Sequence, residues 1–242
     1  MQAGRMTMDR TVLVTGGTGA LGGAVTTRFL DDGYRVAATW VAKEEAETLA
    51  EQFDDGAKER LMLVETDVTD PESIATSLED VEARFGSVDV LVHLVGGWKG
   101  GEEVQEHSLT TWDRMMDLNL RSAFLCCRAV LPRMRERNWG RIVLVSSRTA
   151  RQNRSGQAAY AIAKAGVAVL TETIAEESRG TGVTANVIAP STLDTPANRA
   201  AMPDADHGAW VSPSDVAASI AFLATEDAGP LRGAWFPVYG SA

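Results

Sequence analysis

The chain has 242 residues, enough for one large α/β domain or two small ones, and 45% of them are hydrophobic, as in an ordinary globular protein. Its 23 Lys and Arg face 33 Asp and Glu, a formal net charge of -10 that repels nucleic acid and anionic lipid and argues against either as a partner. The longest apolar runs are broken by Gly or charge, so no membrane-spanning segment is expected. Residues 1–10 lack the apolar core of a secretory signal and read as a flexible leader to a single domain over 11–242. Cys126 and Cys127 are adjacent in a helical stretch and point different ways, which disfavours a disulfide. No Cys or His spacing suits zinc, so no metal is expected, and a reducing cytoplasm is the simplest compartment.

Residues 11–15 form a short β-branched run that reads as a buried strand, followed by a helix over 21–31 stopped at Gly33. A strand over 35–41 and a charged helix over 43–53 come next, then a strand over 61–66. Asp70, Pro71 and Glu72 give a helix an N-cap, a first-turn proline and a first-turn anion. A strand over 88–95 leads into a Gly-rich loop at 96–101, and a long helix covers 110–137. A strand over 141–146, an Ala-rich helix over 157–179 and a strand over 183–189 follow. After an irregular stretch at 190–211, Ser212 opens a helix to 224, and 234–238 is the last strand. Seven strands alternating with helices build a doubly wound parallel sheet flanked by helices, because right-handed crossovers place helices on both faces.

Thr15, Gly16, Gly17, Thr18, Gly19, Ala20, Leu21 and Gly22 lie at the first strand-to-helix turn. Glycines there let the backbone turn sharply and approach a pyrophosphate, which the free N–H groups of the helix N-terminus then hold. Tyr160 and Lys164, four residues apart, share one helix face, where a lysine cation would stabilise phenolate. Ser147 ends the fifth strand at the sheet edge where ligands bind in parallel α/β folds.

Together these motifs resemble the short-chain dehydrogenase/reductase family over nearly the whole chain, which implies a single-domain Rossmann fold. Ala20 replaces the middle glycine of the family's Thr-Gly-x-x-x-Gly-x-Gly loop, while Gly16, Gly19 and Gly22 match the spacing of its extended and atypical members. The resemblance implies an NAD(P)H-dependent oxidoreductase that moves hydride between nicotinamide and a carbonyl or alcohol on a small-molecule substrate. Tyr160 would be the proton donor, Ser147 would hold the substrate oxygen, Lys164 would bind the nicotinamide ribose, and Asn119 would help position Lys164 through water. Thr18 and Leu21 would complete the phosphate loop, Asp67 and Val68 would contact adenine, and Gly96 would line the cofactor site. Pro190, Leu193 and Thr195 would hold the nicotinamide carboxamide. Trp40 stands where NAD-preferring members carry an acid, and Lys43 lies near enough to bind a 2′-phosphate, so NADP(H) is expected over NAD(H). The family's Asn-Asn-Ala-Gly turn is replaced by His93, Leu94, Val95 and Gly96, and His93 is expected to be structural.

Two segments, Gly96–Gly101 with Trp98 and Thr192–Arg199, also resemble the dihydropteridine reductases, where Trp98 would stack on a quinonoid pterin. Those enzymes lack the triad serine, and Ser147 is retained here, so carbonyl chemistry is the first expectation and pterin reduction the alternative. A non-catalytic NAD(P)-binding sensor or scaffold is a third, opposed by the intact Ser, Tyr and Lys. The resemblance further implies a homodimer or homotetramer, and residues 191–211 are expected to form a substrate lid.

Overall fold

The structure, a computed structural model, describes residues 10–152 and 155–241. The expected leader therefore lies outside the described residues except for Arg10, which belongs to the domain. Its guanidinium pairs with Glu226 and stacks 3.8 Å from the centre of the Trp139 ring.

Seven strands make one sheet: β1 (Thr11–Thr15), β2 (Arg35–Trp40), β3 (Leu61–Glu65), β4 (Val88–His93), β5 (Gly140–Val145), β6 (Val183–Pro190) and β7 (Trp235–Val238). Their order is β3-β2-β1-β4-β5-β6-β7 and every pairing is parallel, as the alternating pattern requires. Alternate residues of each strand serve opposite faces. Leu13, Leu91, Ile142 and Val187 meet Cys126, Met134 and Ile174 on one side. Val12, Val90, Val143 and Ile188 meet Phe29, Leu30 and Ile220 on the other. Both faces are thus covered, which explains why the strands are continuously apolar instead of alternating. The strand order reverses between β1 and β4, and the crevice beyond their C-terminal ends is where such a sheet takes a ligand.

The helices are α1 (Ala20–Asp31), α2 (Lys43–Ala50), α3 (Asp55–Arg60), α4 (Pro71–Phe85), α5 (Leu109–Met116), α6 (Ser122–Glu136), α7 (Ala158–Glu177), α8 (Pro196–Ala201) and α9 (Pro213–Leu223). Three departures from expectation have local causes. The helix expected over 43–53 ends early, and Asp54 caps a second short one by accepting the Ala57 N–H at 2.8 Å. The helix expected over 110–137 is interrupted by a π turn, Asp117–Arg121, that separates α5 from α6. The stretch expected to be irregular contains α8 and a 3₁₀ turn at His207–Ala209. α7 is long and apolar enough by length and composition to cross a membrane, which the broken runs of the sequence did not suggest. Here it is a core helix, with Ala159, Ala163, Val167 and Ile174 buried.

Candidate active site

The glycine loop leaves β1 and enters α1 across the switch point. Thr39 of β2 pins it: the Gly16 N–H donates to Thr39 Oγ1 at 3.0 Å and the Gly17 N–H to the Thr39 carbonyl at 3.0 Å. A Cβ on Gly22 would sit 2.0 Å from the Gly16 carbonyl oxygen, so the turn itself forbids a side chain there. Gly19 differs. A Cβ on it would meet nothing nearer than that same oxygen at 3.8 Å, so the protein's own packing does not demand glycine. Gly19 is also the N-cap of α1, and no side chain caps the first-turn N–H groups. An open glycine before uncapped amides fits a pyrophosphate, and the loop suits the dinucleotide expected of it. Thr18 and Leu21 flank this point, with Leu21 packed against the α1 side of the core.

Beside the loop a groove of about 720 Å³ is lined by Thr18, Gly19, Gly23, Glu45, Thr48 and Ser214. The Thr18 hydroxyl donates to Glu45 Oε2 at 3.3 Å, a contact the sequence did not suggest because Glu45 reads as one acid among several on α2. Trp40 ends β2 as expected, paired with Glu65 of β3. Lys43 is exposed and lies 3.4 Å from Glu47 on its own helix. Asp67 accepts from the Thr69 hydroxyl and N–H at 2.7 and 2.8 Å, and these bonds hold its carboxyl below the usual range. Val68 is buried in the core behind it.

The residues expected to move the proton come together near the C-terminal ends of β4 and β5. Ser147 lies two residues past the end of β5, and its Oγ accepts the Thr149 N–H at 3.2 Å. Tyr160 and Lys164 lie one turn apart on α7. The buried Lys164 Nζ donates to the Val145 carbonyl at 3.0 Å. Burial lowers its pKa to about 8. Asn119 is fully buried in the π turn and clamps Gly97: its Nδ2 donates to the Gly97 carbonyl at 3.0 Å and its Oδ1 accepts the Gly97 N–H at 3.1 Å. Gly96 joins the two groups, since a Cβ there would lie 2.7 Å from Asn119 Oδ1 and 3.0 Å from Lys164 Nζ.

One expectation needs correction. Lys164 was expected to lower the Tyr160 pKa. In the structure burial is the dominant influence and raises it, while a hydrogen bond with the Ser147 side chain pulls the other way. The reason is placement: Nζ stands 6.0 Å from the Tyr160 ring centre and is turned to a backbone carbonyl.

His93 is buried and kept neutral, its pKa lowered to about 3 by burial and then by the Lys164 charge. Trp98 is 60% exposed, its ring beside Gly100, in a loop tied to the segment before α7 by the Gly101 N–H donating to the Gly156 carbonyl at 2.8 Å. Pro190 ends β6. Leu193 bridges to Val211, and the buried Thr195 caps α8 by accepting the Asn198 N–H at 3.2 Å. Asp194 and Arg199 pair at 2.5 and 2.8 Å across the first turn of α8.

A glycine turn suited to a pyrophosphate at the switch point, with a tyrosine, a serine and a buried lysine at the same sheet edge, defines a Rossmann-type NAD(P)-dependent oxidoreductase. The sequence pattern of the family described as short chain dehydrogenase matches residues 10–206. The chain is 32% identical to the acetoacetyl-CoA reductase of Allochromatium vinosum, covering 96% of this chain and 98% of that one. It is 31% identical to a 3-oxoacyl-(acyl-carrier-protein) reductase of Salmonella typhimurium, covering 94% and 95%. Among solved structures, ElxO with NADP bound superposes with a TM-score of 0.89 at 26% identity, over 96% of this chain and 98% of that one. The chain belongs to the short-chain dehydrogenase family.

Proposed function

We propose that this chain is an NADP(H)-dependent reductase of carbonyl groups on small molecules, with Tyr160, Ser147 and Lys164 at the reacting centre. The observation that carries this reading is the convergence on Gly96, where Asn119 Oδ1 and Lys164 Nζ both stand within 3.0 Å of the point a Cβ would occupy. When bound, the nicotinamide supplies or accepts the hydride. Tyr160 O–H gives its proton to the carbonyl oxygen during reduction and takes it back during oxidation. Burial raises the Tyr160 pKa, which keeps the phenol protonated at neutral pH and suits the reducing direction. Ser147 Oγ holds the same oxygen. Lys164 Nζ has donors beyond the one given to Val145, and these would bind the nicotinamide ribose. Asn119 fixes Gly97, and with it the loop that walls the cofactor site. Asp67 and Val68 would hold the adenine end of the cofactor, and Pro190, Leu193 and Thr195 the carboxamide end, beside a substrate lid at 191–211.

The cofactor assignment rests on Trp40, which places no carboxylate at the end of β2, and on the NADP-bound structure this chain resembles. Lys43 would exchange Glu47 for a 2′-phosphate. A homodimer or homotetramer is part of the same proposal: Ile162 and Val169 of α7 and Phe124 of α6 are exposed apolar residues that a second copy would cover, and sedimentation velocity tests it. Free, buried Cys126 and Cys127 accord with a cytoplasmic location.

The test is NADPH and NADH oxidation with a 3-oxoacyl thioester, simple ketones and a quinonoid dihydropterin. Turnover of carbonyls with the pterin ignored is the expected result. Turnover of the pterin alone would overturn carbonyl chemistry and give Trp98 a stacking role. Tight dinucleotide binding with no turnover of any of them would favour a sensor.

A further inference from the structure

We infer that His93 is a positioning residue: through Ser122 it locks the π turn that presents Asn119, and through Thr15 it ties that turn to the root of the glycine loop. The inference rests on the reading of the site above.

His93 ends β4, and its ring lies between two hydroxyls. Nδ1 is 2.8 Å from Thr15 Oγ1, at the last residue of β1, and Nε2 is 3.1 Å from Ser122 Oγ, at the first residue of α6. All three residues are buried, at 2%, 2% and 0% exposure, so water does not compete for these bonds. The hydrogen-bond directions follow from counting protons. Ser122 Oγ has one proton and gives it to the Leu118 carbonyl at 2.7 Å. Toward His93 the same oxygen can only accept, so Nε2 carries the ring proton. A neutral imidazole has one donor and one acceptor, which leaves Nδ1 to accept from the Thr15 hydroxyl.

The Leu118 carbonyl explains why this matters. In an α-helix it would receive the Ser122 N–H four residues on. In the π turn that N–H goes to the Asp117 carbonyl instead. The Ser122 hydroxyl takes the vacated role at Leu118 and is itself held by His93. Asn119, the next residue, then points at Gly97. If the clasp is lost, the turn can return to α register, which rotates Asn119 off Gly97. One neutral ring therefore couples three parts of the site: the phosphate loop, the Asn119 turn and the loop that follows β4.

The test compares purified His93→Asn, His93→Gln, Ser122→Ala and the His93→Asn/Ser122→Ala double variant, with turnover normalised to NADP⁺-binding sites. Gln reaches far enough to replace the Nε2 donor; Asn does not. The expected result is a loss of about tenfold in kcat for His93→Asn and for Ser122→Ala, with the NADP⁺ Kd within about twofold of the parent, recovery in His93→Gln, and no further loss in the double variant. Unchanged kcat per binding site, or losses that multiply in the double variant, would overturn it. Nitrogen-15 shifts of the wild-type ring give an independent arm if the His93 variants do not fold, because a proton on Nδ1 contradicts the proposed clasp. Asn119→Ala separates the two readings: full activity in that variant would discard the role of Asn119, while the coupling of His93 to Ser122 is read on its own.

Discussion

At the scale of single residues, Tyr160 and Lys164 carry opposite balances of function and stability. Tyr160→Phe removes only the hydroxyl. It is expected to keep NADP⁺ binding, measured by nucleotide fluorescence, while kcat falls by a factor on the order of 10² to 10⁴. Lys164 is held as a buried cation whose pKa drops from 10.5 to about 8. Between those values the unfolded chain binds a proton that the folded chain does not, so stability rises with pH across that window and the full penalty is felt below pH 8. It amounts to about 3 kcal/mol at pH 7. Lys164→Met is therefore expected to melt higher than the parent at pH 7 while losing turnover, and a melting point no higher would show that the cation is better solvated than its burial implies. Spacing and strand ends make Ser147, Tyr160 and Lys164 legible in the sequence. The balance of influences on Tyr160 is not, because it depends on which way a flexible lysine turns.

At the scale of elements, the glycine loop separates what the fold needs from what a ligand needs. Gly22→Ala would drive a methyl group to 2.0 Å from the Gly16 carbonyl oxygen, so it is expected to lower thermal stability and nucleotide affinity together. Gly19→Ala has room, with its nearest neighbour at 3.8 Å. It is expected to lower the melting point by no more than about 4 °C, since losing an N-cap glycine to alanine costs up to about 1 kcal/mol, while weakening NADP⁺ binding by about tenfold or more. Equal nucleotide affinity in Gly19→Ala would remove the pyrophosphate from that position. Strand and helix order was readable from β-branched runs and caps, as at Asp70 and Ser212. The π turn was not, because Asp117–Arg121 carries no proline or glycine to announce it. The partner of Ser122 is His93, 29 positions earlier in the chain, so no local pattern reveals the contact.

At the scale of the whole molecule, the seven-stranded parallel sheet was legible because every strand is an apolar run followed by a helix long enough to cross back. Polar residues inside such strands then stand out, and the titration of His93 is one that the entire fold must answer for. Its imidazole has a pKa of about 3 in the folded chain against an ordinary 6.5. Between those values the unfolded chain takes up a proton that the folded chain refuses. The contribution of neutral His93 is thus fully present above pH 6.5 and is lost as pH falls toward 3, at about 1.4 kcal/mol per pH unit. The acid limb of the stability curve, measured by urea unfolding at intervals from pH 7 to pH 4, is expected to be steep in the parent. In His93→Asn it should be shallower by about one proton, even though that variant starts from lower stability at pH 7. Parallel acid limbs in the two proteins would mean that the carboxylates set the slope and that His93 is reached by water before the fold gives way.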